Sequence, residues 1–138
     1  MEIKVMLDDG AILPTRAHRA DAGLDLYTPH DVFINGGCSA AVDTGVHMGI
    51  PYGFFGDIRS KSGLLFKHDI FTDGTIDSGY TGSIQVKILN LGTEPYRFKA
   101  GDKIAQIVIK RCELPELCKV AMMDDTERGK NGFGSSGK

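Results

Sequence analysis

Cysteine is scarce. Cys38, Cys112 and Cys118 form neither an even set for a disulfide framework nor the paired spacing of a zinc site. His18, His30, His47 and His68 stand singly, so no structural metal is expected. Excess charge of one sign is missing too: 16 basic and 18 acidic residues leave a net charge of −2. That balance lacks the basic footprint of a protein gripping many phosphates, so nucleic acid is not an expected partner. No apolar run approaches the roughly 20 residues that span a bilayer, and Met1–Val5 lacks the apolar stretch of a secretory signal. No membrane association is expected, and the expected location is cytoplasmic, or the host cytoplasm if a phage carries the gene.

Glycine is abundant, at 18 of 138 residues, or about 13% against a usual share of about 7%. Many positions therefore need a turn or a close approach of the backbone. The length suits one domain, and 41% apolar residues suffice to fill its interior. Apolar residues recur with period two at Ile3-Val5-Leu7, Val46-Met48-Ile50, Ile84-Val86-Ile88 and Tyr96-Phe98. Turn clusters such as Asn35-Gly36-Gly37, Asp73-Gly74 and Ala100-Gly101-Asp102 separate these runs. The pattern predicts an all-β sandwich, jelly roll or barrel with at most one short helix, Ser62 to Ile70. Residues 1–124 form the predicted domain. In residues 125–138 the apolar periodicity stops, which predicts a flexible glycine-rich arm.

Five segments have the composition of a binding site. In the arm, Arg128 and four glycines frame Phe133, Ser135 and Ser136: a guanidinium fork, convergent amides and an aromatic face, the parts of a nucleotide clamp. Gly74-Thr75-Ile76-Asp77-Ser78-Gly79-Tyr80-Thr81-Gly82 predicts a tight hairpin that brings backbone donors and acceptors close to a ligand. An ordinary hairpin whose aspartate caps its own turn has the same composition. Ile58-Arg59-Ser60-Lys61-Ser62-Gly63-Leu64 sets cations and hydroxyls before the predicted helix, a combination that suits phosphate and equally describes a solvated loop. Ala22-Gly23-Leu24-Asp25-Leu26 and Gly101-Asp102-Lys103-Ile104-Ala105-Gln106 carry little alone.

Taken in order, these segments resemble the five motifs of the trimeric deoxyuridine triphosphate nucleotidohydrolases, the dUTPases: A-G-L-D-L, S-K-S-G-L, G-T-I-D-S-G-Y-T-G, G-D-K-I-A-Q and R-G-K-N-G-F-G-S-S-G. The resemblance implies a jelly-roll-like β-barrel assembled as a homotrimer with shared active sites, each closed by a C-terminal arm. It implies hydrolysis of dUTP to dUMP and pyrophosphate with Mg2+ as cofactor. Asp77 would be the general base for the water that attacks the α-phosphorus, and Gln106 would contact that water. Lys61, Ser62 and Gly63 would contact phosphate, Gly74 and Ile76 the uracil, and Tyr80 the sugar. Arg128 and Ser135 would grip the γ-phosphate, Gly134 would contact the substrate, Phe133 would cover the base, and Asp25 would help hold the metal's hydration shell.

One departure concerns the second motif. Family members often have arginine before Ser-Gly-Leu, where this chain has Lys61; lysine keeps the charge and loses the fork. An ungapped fit gives Lys61 the phosphate role and makes Arg59 structural. Asp8-Asp9 and Asp124-Asp125 read as solvated turn carboxylates, and the histidines show no partner pattern. Two alternatives remain. A dCTP deaminase of the same fold would carry a catalytic glutamate where this chain has Lys87. A non-enzymatic or regulatory β module would bind a partner through the nucleotide-gated arm.

Overall fold

The computed structural model describes residues 1–137. Ten strands and one helix follow in the order β1 Lys4–Leu7, β2 Leu24–Tyr27, β3 Val32–Ile34, β4 Ser39–Asp43, β5 Val46–Gly49, β6 Phe54–Arg59, α1 Ser62–His68, β7 Ile70–Ile76, β8 Gln85–Asn90, β9 Tyr96–Phe98 and β10 Lys103–Arg111. Six strands form a curled antiparallel sheet in the order β2-β10-β6-β7-β8-β4, and β1-β5 and β3-β9 form two-stranded ribbons. The architecture is jelly-roll-like, as the strand pattern predicts.

The period-two runs supply the core. Val46, Met48, Ile50, Ile84, Val86, Ile88 and Phe98 are buried, joined by Leu26, Ile34, Val42, Ile58, Ile70, Ile104 and Ile107. Each such side chain contributes about 1.5–3 kcal/mol by leaving water. The first run is only partly covered: in β1, which pairs with β5, Val5 packs against the core together with the preceding Ile3, while Leu7 faces solvent.

The helix is shorter than predicted. Asp69 adopts the left-handed conformation at φ 54°, and its N–H closes the last turn onto Leu64 and Leu65. Ile70 then opens β7 as a core residue. The residue expected to end the helix thus starts a strand, because the core claims it.

Strand β7 divides its pairing. Ile70–Thr72 lie opposite β8, whereas Asp73–Ile76 lie opposite β6. Beyond Thr72, therefore, β7 and β8 part, and the segment expected to be a tight hairpin is a splayed loop over 77–84. Residues 113–131 are exposed throughout.

Candidate active site

The first cluster forms on strand β2 and its neighbours. Asp25 lies opposite Gln106 of β10, and Gln106 lies opposite Arg59 of β6, so three strands present side chains side by side. The register of β10 slips between Lys103 and Ala105: Lys103 faces Tyr27 and Ala105 faces Leu26. A one-residue slip reverses the alternation of side chains. Ile104 and Ala105 both enter the core as a result, and Lys103 comes to the same face as Gln106.

On that face Asp25 is buried between two ammonium groups. Lys61 bonds Oδ1, and Lys103 Nζ lies 2.7 Å from Oδ2. Burial pushes the carboxyl pKa up; the hydrogen bonds from Lys103 and Lys61, with their charges, outweigh it and hold the group below its ordinary range. The same contact raises Lys103. Gln106 donates from Nε2 to the Ser60 carbonyl at 3.1 Å. Gly23 is needed beside it, because a Cβ there would sit 2.1 Å from the glutamine Oε1. Arg59, by contrast, pairs with Asp73 at 3.2 Å and lies 3.9 Å from Asp57.

A second cluster occupies the splayed loop. With β8 gone, Asp73–Ile76 pair along one edge only, and the other edge is free for a ligand's hydrogen bonds. A pocket of about 150 Å³ opens there, lined by Thr75, Ile76, Asp77, Tyr80 and Gln85. The Asp77 side chain is exposed and, among the described residues, accepts no hydrogen bond. Tyr80 is fixed: its hydroxyl donates to the Ser83 carbonyl at 2.9 Å, and its ring crosses Gly82, where a Cβ would meet the hydroxyl at 2.4 Å.

The arm carries the third group. Arg128 donates from Nε to the Asn131 carbonyl at 2.8 Å, and Phe133 is wholly exposed, with Phe133 and Gly134 both in the left-handed region. Among the described residues, the hydrogen bonds of 113–137 stay within that segment. Ser62 and Gly63 open α1, and Ser135 lies in the arm. Among the described residues the first two groups meet through the β6-β7 ladder and the Arg59–Asp73 pair, while no hydrogen bond or ion pair joins the arm to either.

A sequence model of the dUTPase family matches residues 9–137. The chain belongs to the dUTPase family. The deoxyuridine 5'-triphosphate nucleotidohydrolase of Mycolicibacterium gilvum is 46% identical over 142 residues, spanning 96% of this chain and 92% of that protein. The mouse enzyme of the same name is 41% identical over 97% of this chain and 83% of its own. The dUTPase of Staphylococcus bacteriophage 80alpha, solved with dUpNHpp, superposes with a TM-score of 0.92 at 30% identity over 99% of both chains. A dUTPase mutant from Staphylococcus aureus phage phi11, whose structure describes coordination of a structural Mg(II) ion, aligns at a TM-score of 0.82 and 28% identity over 88% of this chain.

Two side chains beside the candidate site residues escape a reading of the sequence. Lys103 lies three positions from Gln106, an odd spacing that puts them on opposite faces of a regular strand, and only the slip in β10 unites them. His47 joins partners far away in sequence, Asp8 and Thr81.

Proposed function

We propose that the protein hydrolyses dUTP to dUMP and pyrophosphate by water attack on the α-phosphorus, in sites shared among the subunits of a homotrimer. The match to dUTPases along almost the whole chain, with all five motifs present in order, carries this reading. The separation of the arm from the Asp25 and Asp77 groups supports sharing, in which one subunit's arm meets another's loop.

In this reading the uracil enters the pocket at the open edge of β7. Main-chain groups at Gly74 and Ile76 pair with the base edge, and tethered Tyr80 packs on the sugar where a 2′-hydroxyl would clash. Asp77 accepts a proton from water, for which its free carboxylate is suited, and Gln106 helps to orient that water. The Asp25 cluster holds two ammonium groups against one carboxylate, a surplus of one positive charge that suits a polyphosphate chain. Lys61, with Ser62 and Gly63, receives phosphate as a point charge, while Arg59 stays in its ion pairs across β6 and β7. Arg128 and Ser135 close on the γ-phosphate, Gly134 contacts the substrate, and Phe133 covers the base, excluding bulk water once the nucleotide is bound.

Magnesium fits this arrangement through its substrate. Among the described residues no three histidine, cysteine, aspartate or glutamate side chains converge into a cage. Asp25 supplies one ionised carboxylate suited to the hydration shell of a hard cation whose other ligands are phosphate and water. When bound, the ion neutralises charge on the triphosphate.

Pyrophosphate release from dUTP, dTTP, UTP and dCTP, with and without Mg2+, tests the proposal. Turnover confined to dUTP and strengthened by Mg2+ is expected. Ammonia released from dCTP would instead mark a deaminase, and no turnover of any nucleotide would leave a β module without this activity.

A further inference from the structure

The loop that carries Tyr80 is tied down on its far side by a histidine that the proposed chemistry does not use. His47, on β5, lies opposite Met6 of β1. Its Nδ1 is 2.8 Å from the Thr81 carbonyl oxygen, and its Nε2 is 3.0 Å from Asp8 Oδ1. A carbonyl oxygen and a carboxylate oxygen only accept hydrogen bonds, so both ring nitrogens have to donate. Only the imidazolium has two N–H groups; the neutral ring keeps one contact and turns a lone pair toward the other acceptor.

We propose that His47 is a positioning residue for the nucleotide: as an imidazolium it clamps Thr81 to the β1-β5 ribbon, fixing the loop whose Tyr80 contacts the sugar. The inference rests on the reading of that loop as the nucleotide site, and makes dUTP affinity depend on the charge of a residue outside the pocket.

Neighbouring contacts point the same way. The Ser83 hydroxyl donates to Asp43, whose Oδ1 also accepts the Gly45 N–H at 2.9 Å. Thr44 Oγ1 donates to the Ile84 carbonyl at 2.8 Å. Thr81, Ser83 and Ile84 are thus held by His47, Asp43 and Thr44 around the β4-β5 corner, with His47 holding the residue that follows Tyr80. Asp8 and Asp43 face the ring with negative charge, and Lys4 lines the cleft beside it with positive charge. The Thr81 carbonyl first, then Asp8, raise the histidine above its ordinary pKa of 6.5. The clamp is therefore complete below that value and is lost as pH rises through the raised one.

The test combines NMR titration with kinetics on the full chain. The His47 ring and the Thr81 and Gly82 amides are expected to titrate with one shared midpoint above 6.5, and Asp8→Asn is expected to lower both together. His47→Gln is expected to raise KM for dUTP roughly tenfold at pH 6.5, the scale of one charge-assisted hydrogen bond, with kcat nearly unchanged. It is also expected to remove the part of the alkaline rise in KM that wild type shows in excess of the variant. Amides that stay still while the ring titrates would overturn the clamp, as would a variant whose KM follows the wild-type pH profile. If the amides follow the ring but dUTP is never hydrolysed, the clamp stands and the nucleotide reading falls.

Discussion

At the scale of single residues, Asp77 and Asp25 are carboxylates in opposite environments. Asp77 is exposed and, among the described residues, its side chain has no partner, so replacing it should leave the fold alone: Asp77→Asn is expected to bind a non-hydrolysable dUTP analogue normally while kcat falls by about 10²–10⁴, as for loss of a general base. Near-normal turnover would remove it from that role. Asp25 is buried and doubly paired, with its pKa depressed, so its contribution to stability is present above the unfolded value near 3.8 and is lost as pH falls through the folded one. Asp25→Asn is therefore expected to lower unfolding free energy by about 1–3 kcal/mol at pH 7, by leaving Lys61 and Lys103 without their charge partner. The gap to wild type should narrow in denaturant titrations repeated at pH 3. A variant equally destabilised at both pH values would mean that packing, not charge, explains the loss.

At the scale of elements, the arm and the strands give different lessons. Residues 128–137 add nothing to the core, so removing the chain from residue 128 onward is expected to leave the melting temperature within about 1 °C while nearly abolishing dUTP turnover, which calorimetry and a pyrophosphate assay would check together. A large fall in melting temperature would show that the arm packs on the domain. The boundary between arm and domain was legible only in part: apolar periodicity runs to about Asp124, whereas exposure is continuous already from Glu113, after the last strand ends at Arg111. The runs Val46-Met48-Ile50 and Ile84-Val86-Ile88 were legible in full, their alternation matching strands with one face in the core. The first run held in part: Ile3 and Val5 pack against the core, and Leu7 is exposed at the end of β1 in its two-stranded ribbon. The hairpin reading misled. Glycines in 74–82 signal a turn but not where neighbouring strands cease to pair, and the parting of β7 from β8 depends on β6 taking over the ladder. The slip in β10 is equally hidden, since a single extra residue leaves no compositional mark.

At the scale of the whole molecule, the motifs named the family, and the grouping of their residues bears on the proposed sharing of sites among subunits. Asp77 and Tyr80 lie in one group, Asp25 and Gln106 in another, and Arg128 and Phe133 on a segment whose hydrogen bonds, among the described residues, stay within it. If assembly unites them, two defective chains should rescue each other. Mixing and refolding Asp77→Asn subunits with subunits cut before residue 128 is expected to restore part of the dUTP turnover, because some shared sites then receive an intact aspartate from one chain and an intact arm from another. Activity no greater than the sum of the separate samples would confine each site to one subunit. A further consequence follows from the arm's independence of the core. A protease nick in this exposed tail would silence catalysis while circular dichroism and melting curves stayed unchanged, so a preparation can pass every check of foldedness and still be inert.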